Sequence, residues 1–160
     1  MNPLIPEKLN SRFPGVVEKS DEFRGDLVIN VGREKIVDVC RFLRDDQDLA
    51  FDLVVDLCGV DMYRPEKRFE VVYHLYSLKN KNYLRLKVGL DEEDPTISSV
   101  TGVWSGANWL EREAYDMFGI TFTDHPDLRR MYMPEDYEYY PLRKDFPLMG
   151  VPDSIPLPQK

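Results

Sequence analysis

Positive charge is the first thing this chain is short of. Its 160 residues carry 21 lysines and arginines against 29 aspartates and glutamates, a net charge of -8 at pH 7. Phosphate recognition needs a clustered positive surface, so DNA and RNA are excluded as principal partners. An anionic membrane surface is disfavoured for the same reason. Long hydrophobic runs are missing as well. Nothing approaches the roughly 20 apolar residues of a membrane-spanning helix, and the best candidate, LVVDLCGV from Leu53, meets Asp56 almost at once. The N-terminal MNPLIPEKLN has neither the basic region nor the apolar stretch of a signal peptide. A cytosolic chain is expected, one that reaches a membrane only through a partner.

Soft metal ligands are equally sparse. The 2 cysteines, Cys40 in VDVCRFL and Cys58 in VVDLCGV, form no CxxC and lie in apolar surroundings, so both are expected to be buried structural thiols. The 2 histidines are His74, in a strand-like run, and His125, before a proline. From this inventory neither a zinc site nor an iron–sulfur cluster is expected. A Walker loop and a GxGxxG are both absent, and with them the usual nucleotide-site signatures.

What is present describes a globular protein of about one domain: 42% hydrophobic and 31% charged residues. The spacing of Ile36, Val39, Cys40 and Leu43 predicts a helix over 34–44 with one buried face. Val16-Val17 and 27–29 read as short strands separated by polar DEFRGD, and Leu53 to Leu57 as a central strand. Phe69, Val71, Tyr73 and Leu75 alternate, as do Leu84, Leu86 and Val88, and the turn-like LKNKN between the two runs predicts an antiparallel hairpin. The expected fold is α+β: a small mixed, mostly antiparallel sheet with helices packed on one face, followed by an extended proline-rich C-terminal segment. The division predicted is a globular domain over 1–122 and a partner-wrapping segment over 123–160. That second stretch holds 7 of the 12 prolines, which rule out a long helix or central strand. It also carries apolar side chains from Tyr132 to Ile155 and Leu157, too many for a solvated tail.

ANWLEREAYDMFG predicts a helix over 107–118, N-capped by Ser105 or Asn108, the latter with Glu111 in a capping box, and stopped by Gly119. On a helical wheel Glu113 falls between Trp109 and Met117, inside the broad apolar face. A carboxylate buried there needs a cation. Arg112 and Asp116 are expected to neutralise each other at i, i+4, leaving Arg129, Arg130 or Arg143 to reach Glu113. Glu113 would then anchor the loop HPDLRRMYM to the helix. The competing reading makes Glu113, Asp116 and His125 an acid–base group of a stand-alone hydrolase or transferase; an arginine partner would argue against it by lowering the pKa of Glu113. DLRR and PLRKDFP, rich in arginine and aromatics, read as interface.

Glu111-Arg112-Glu113, Asp116, Phe118-Gly119, His125-Pro126, Leu128-Arg129-Arg130 and Pro141-Leu142-Arg143-Lys144-Asp145 form a long ordered set. Together they closely resemble the signature region of the C-type subunit of the respiratory NADH:quinone oxidoreductase (NDH-1), the 30 kDa subunit family of complex I. The resemblance implies a non-catalytic subunit of the peripheral arm, packed against the 49 kDa (D-type) subunit near the quinone site, on the cytoplasmic side of the inner membrane. It implies no cofactor in this subunit, with FMN and the iron–sulfur clusters expected in partner subunits. The signature residues, with Asp127, become candidates for partner binding or its support, and none inherits a catalytic role. Related membrane-bound hydrogenases and coenzyme F420-dependent dehydrogenases use similar subunits and form the alternative.

Overall fold

The computed structural model describes residues 4–152. The chain runs α1 (Leu4–Arg12), β1 (Val17–Phe23), β2 (Asp26–Val31), a 3-10 turn (Arg33–Lys35), α2 (Ile36–Asp45), β3 (Leu53–Asp61), β4 (Phe69–Ser77), β5 (Asn82–Leu90), β6 (Thr96–Ser98), α3 (Ala107–Phe118) and β7 (Thr121–Thr123). Five strands form one sheet in the order β1-β2-β5-β4-β3. Only β2 and β5 pair in parallel within it; β1–β2, β5–β4 and β4–β3 are antiparallel. Short parallel β6 and β7 make a second, two-stranded sheet.

Alternation along the strands gives the main sheet two unlike faces. Phe69, Val71, Tyr73 and Leu75 of β4, with Leu84, Leu86 and Val88 of β5, are essentially without solvent exposure. They meet the stripe Ile36, Val39, Cys40 and Leu43 of α2, and Ile5 and Leu9 of α1. The three helices lie on this face, which is the mixed, mostly antiparallel α+β arrangement expected. The opposite face presents Asp56, Cys58, His74, Arg85 and Lys87, residues of alternate position in β3, β4 and β5.

Three local expectations need correction. DEFRGD is mostly strand: β1 continues to Phe23 and turns at Arg24-Gly25, held by its ladder to β2 while its own side chains stay exposed. The β3 run is an edge strand, because the hairpin β4–β5 takes the central positions. Cys58 in consequence faces outward and is half-buried, whereas Cys40 is buried as expected. The short helix α1 forms where no element is predicted; Lys8 ties it to the end of α2 through Asp46 at 2.8 Å and Asp48 at 2.7 Å.

Helix α3 crosses the sheet at β3, and one glycine permits the approach. A Cβ on Gly59 would stand 2.7 Å from the Phe118 ring and 3.0 Å from Ile120. Nothing larger than hydrogen fits there without displacing the Phe118 and Ile120 side chains. The terminus of α3 is as expected: Gly119 adopts φ 74° and its amide bonds to the Tyr115 carbonyl. Its start is not, since Gly106 takes the N-cap position without a side-chain cap.

Candidate functional site

The signature residues gather along α3 and the irregular segment that follows it. Helix α3 exposes Trp109 (59%) and Glu113 and buries Glu111, Arg112, Ala114 and Asp116. The wheel reading is corrected: Glu113 lies outside the buried face, because the helix turns its Glu111 side toward the sheet. Glu113 receives only a long hydrogen bond from the Tyr132 hydroxyl, at 3.5 Å, and no arginine pairs with it among the described residues.

The loop anchor is instead Asp116. Its carboxylate accepts from Arg130 at 2.7 Å and from the amides of Met131, Tyr132 and Met133 at 3.0, 2.7 and 3.1 Å. Burial alone would raise its pKa; the amides and the guanidinium outweigh that and hold it below the usual carboxylate range. Arg112 does not pair with Asp116 as expected. It lies over the Trp109 ring and donates to the carbonyls of Arg129 and Arg130. The Asp127 carboxylate accepts from Arg129 Nε at 2.9 Å on the outer surface of the same loop.

Glu111 does not cap its own helix. It is fully buried, accepting from the Ser99 hydroxyl and the Val100 amide, both at 2.7 Å. Burial pushes its pKa from 4.5 to about 7, against the opposing effect of those two hydrogen bonds. The His125 side chain is buried beside it. Nδ1 accepts from the Asp127 amide at 3.0 Å, which places the ring proton on Nε2, 3.2 Å from the Asn108 carbonyl and 3.9 Å from Glu111.

A second cluster ties the following segment to the sheet. Asp61, at the end of β3, pairs with Arg68 and accepts from the Lys144 amide at 2.8 Å. Burial works against its charge, but Arg68 and the Lys144 and Tyr63 amides prevail, setting its pKa at about 2. Arg68 also meets Asp145 at 2.9 Å and Glu92. Arg143 lies over the rings of Phe69 and Tyr140 and donates to the Phe118 carbonyl at 2.7 Å. Asp61, Arg68 and Glu92 were invisible to sequence reasoning, since no local spacing links them to the signature.

Glu113, Asp116 and His125 are not hydrogen-bonded to one another; Glu113 and Asp116 share only Tyr132, through its hydroxyl and its amide, and His125 has other partners. A general acid or base needs reach and a suitable pKa; Asp116 is neutralised by Arg130 and His125 is fixed by main-chain groups. One further grouping escapes sequence spacing. On the outer face of the sheet, Asp56, Cys58 and His74 place a carboxylate oxygen, a sulfur and a ring nitrogen within 4.8 Å of one another.

Comparison with known proteins agrees with the signature. The family described as respiratory-chain NADH dehydrogenase, 30 Kd subunit, matches residues 29–152. The NADH-quinone oxidoreductase C-type subunit of Roseiflexus sp. (strain RS-1) is 55% identical over 147 residues, 92% of this chain and 84% of its own length. The protein of that name from Geobacter sulfurreducens is 49% identical over 150 residues, covering 93% of this chain and 91% of itself. Among solved structures, the trypsin-resistant fragment of Nqo5 superposes with a TM-score of 0.63 at 34% identity, over 78% of this chain and 98% of the fragment. A chain in the structure of the membrane-bound sulfane sulfur reductase, an archaeal respiratory membrane complex, shares the fold with a TM-score of 0.74 at 24% identity, over 91% and 85%.

Proposed function

Since the chain belongs to the family of the respiratory-chain NADH dehydrogenase 30 Kd subunit, we propose that it is a non-catalytic structural subunit of the peripheral arm of a proton-translocating NADH:quinone oxidoreductase. It packs against the 49 kDa (D-type) subunit near the quinone site and supports electron transfer from NADH to quinone there. FMN and iron–sulfur clusters belong to the partner subunits. The complex holds it as a peripheral protein on the cytoplasmic face of the inner membrane.

The observation that carries this reading is how the signature is used. Five of its charged groups are spent within the chain: Glu111, Arg112, Asp116, Arg130 and Arg143 each bond to the main chain, fixing the segment after α3 in shape. What the fixed segment displays is aromatic and apolar. Tyr132, Tyr139, Leu142, Leu148 and Met149 are exposed, the last two almost completely, beside Trp109 of α3; tyrosine and tryptophan are enriched at binding hot spots, and contiguous exposed apolar side chains mark interaction surfaces. Exposed Glu113, Asp127, Arg129, Lys144 and Asp145 flank them as candidate rim contacts. In this proposal 1–122 is the scaffold and 123–160 the partner-wrapping segment. Residues 153–160, with Ile155 and Leu157, lie outside the described residues.

A tagged full-length chain in its native host tests the reading. Co-purification of the arm subunits, with NADH oxidation by the preparation, is expected. Recovery of hydrogenase or F420-dehydrogenase subunits instead would move the chain to the alternative complex.

A further inference from the structure

The outer face of the sheet carries an arrangement that structural packing does not require. In β3, Asp56 and Cys58 are two residues apart and so share one face. A bulge between Val54 and Asp56 brings Asp56 opposite His74 of β4, with Cys58 opposite Val72. The carboxylate oxygen, Sγ and imidazole nitrogen consequently lie within 4.8 Å of one another. None of the three side chains makes a hydrogen bond or ion pair inside the chain among the described residues. Asp56 is exposed and the other two are half-buried, so the group is a shallow cup open to solvent.

We infer that Asp56, Cys58 and His74 form a three-ligand site for a borderline divalent ion of the zinc class. One thiolate, one imidazole and one carboxylate match the N/S/O donor sets that zinc takes, and a single oxygen is too few for magnesium or calcium. Bond lengths of roughly 2.0 to 2.3 Å put tetrahedral ligand atoms about 3.3 to 3.7 Å apart. The three atoms need to close by at most about 1.1 to 1.5 Å, within the reach of side-chain rotation at these three positions. The fourth position faces solvent and takes water or a partner's side chain. Two cations stand nearby on β5: Arg85 faces Asp26 at 3.7 Å, with its Nε unpartnered among the described residues, and Lys87 pairs with Glu70 at 2.7 Å. The Cys58 proton leaves to solvent as the metal–sulfur bond forms.

The test is titration of the metal-stripped full-length chain with Co²⁺, followed by displacement with Zn²⁺. A thiolate-to-cobalt charge-transfer absorption saturating at one ion per chain is expected, bleached by Zn²⁺ and absent from Cys58→Ser. His74→Gln and Asp56→Asn should weaken Zn²⁺ binding by at least the roughly 10–100-fold that loss of an outer-shell partner costs. Absence of the charge-transfer band in the unaltered chain overturns the inference. So does a band that survives in Cys58→Ser, which would assign the sulfur to Cys40, or an affinity unchanged in both His74→Gln and Asp56→Asn.

Discussion

Glu111→Gln should make the protein more stable, and only in part of the pH range. Burial raises the Glu111 pKa from 4.5 to about 7, so the folded chain holds this proton more tightly than the unfolded chain. Below pH 4.5 both states are protonated and the group costs nothing. Between 4.5 and 7 the unfolded chain ionises first and stability falls; above 7 the loss is complete. At about 1.4 kcal/mol per pKa unit the loss reaches about 3 kcal/mol. Glutamine is neutral throughout and nearly isosteric. Its carbonyl can take the Val100 amide, and its NH₂ can donate to Ser99 Oγ, whose own hydroxyl then turns to Thr101 Oγ1, already 2.8 Å away. Urea unfolding of both full-length proteins from pH 4.5 to 8 should show near-equal stability at the acid end and a gap widening to about 3 kcal/mol at the alkaline end. A difference that does not vary with pH would refute the reasoning, because Glu111 would then ionise alike in both states.

The carboxylates that anchor the loop behave oppositely. Asp61, held at about pH 2, contributes stability that is present above 3.8 and lost as the pH falls through 2; Asp61→Asn should flatten that acid limb of the urea-measured profile. At pH 7 the same variant should lose about 3 kcal/mol, the lower end for breaking a buried pair, since Asp145 and Glu92 still face Arg68. Asp116→Ala removes the acceptor of three amides, so hydrogen exchange at Met131, Tyr132 and Met133 should quicken by about tenfold or more. Gly119→Ala puts a Cβ 2.6 Å from Arg143 and 2.7 Å from Tyr140 at φ 74°, and a melting experiment should register a loss of more than about 1 kcal/mol.

Periodicity disclosed the elements whose neighbours are fixed by their own pattern. The α2 stripe, the β4–β5 hairpin and the span and Gly119 stop of α3 follow from spacing and alternation, although its N-cap does not. It failed where partners decide. Helix α1 buries only Ile5 and Leu9 and carries Pro6 in its first turn; β1 is polar and exists through its ladder with β2. The Glu113 error has one cause. A wheel ranks residues by polarity, and Trp109 outranks Glu111 as core, yet α3 leaves Trp109 outside and spends its buried face on Glu111 and Asp116. The roles of Asp116 and Glu111 were hidden because their donors, three loop amides and Val100, are main-chain groups with no residue-specific signal. Asp56, Cys58 and His74 meet only through strand pairing across a bulge.

The central proposal is that this chain shapes and holds its complex without performing chemistry in it. The most direct measurement is NADH:quinone turnover per assembled complex in membranes of a deletion strain carrying unaltered chain, Trp109→Glu or Glu113→Gln. Both residues are exposed; Trp109→Glu gives up the ring beneath Arg112 and Glu113→Gln keeps an acceptor for Tyr132, so each change should cost the fold no more than about 1 kcal/mol, read from the melting of the isolated chain. A charge in place of Trp109 should reduce the amount of assembled arm, and turnover per assembled complex should stay constant across all three strains. Full assembly with lost turnover in Glu113→Gln would contradict the account, because an exposed carboxylate of this chain would then be taking part in the reaction.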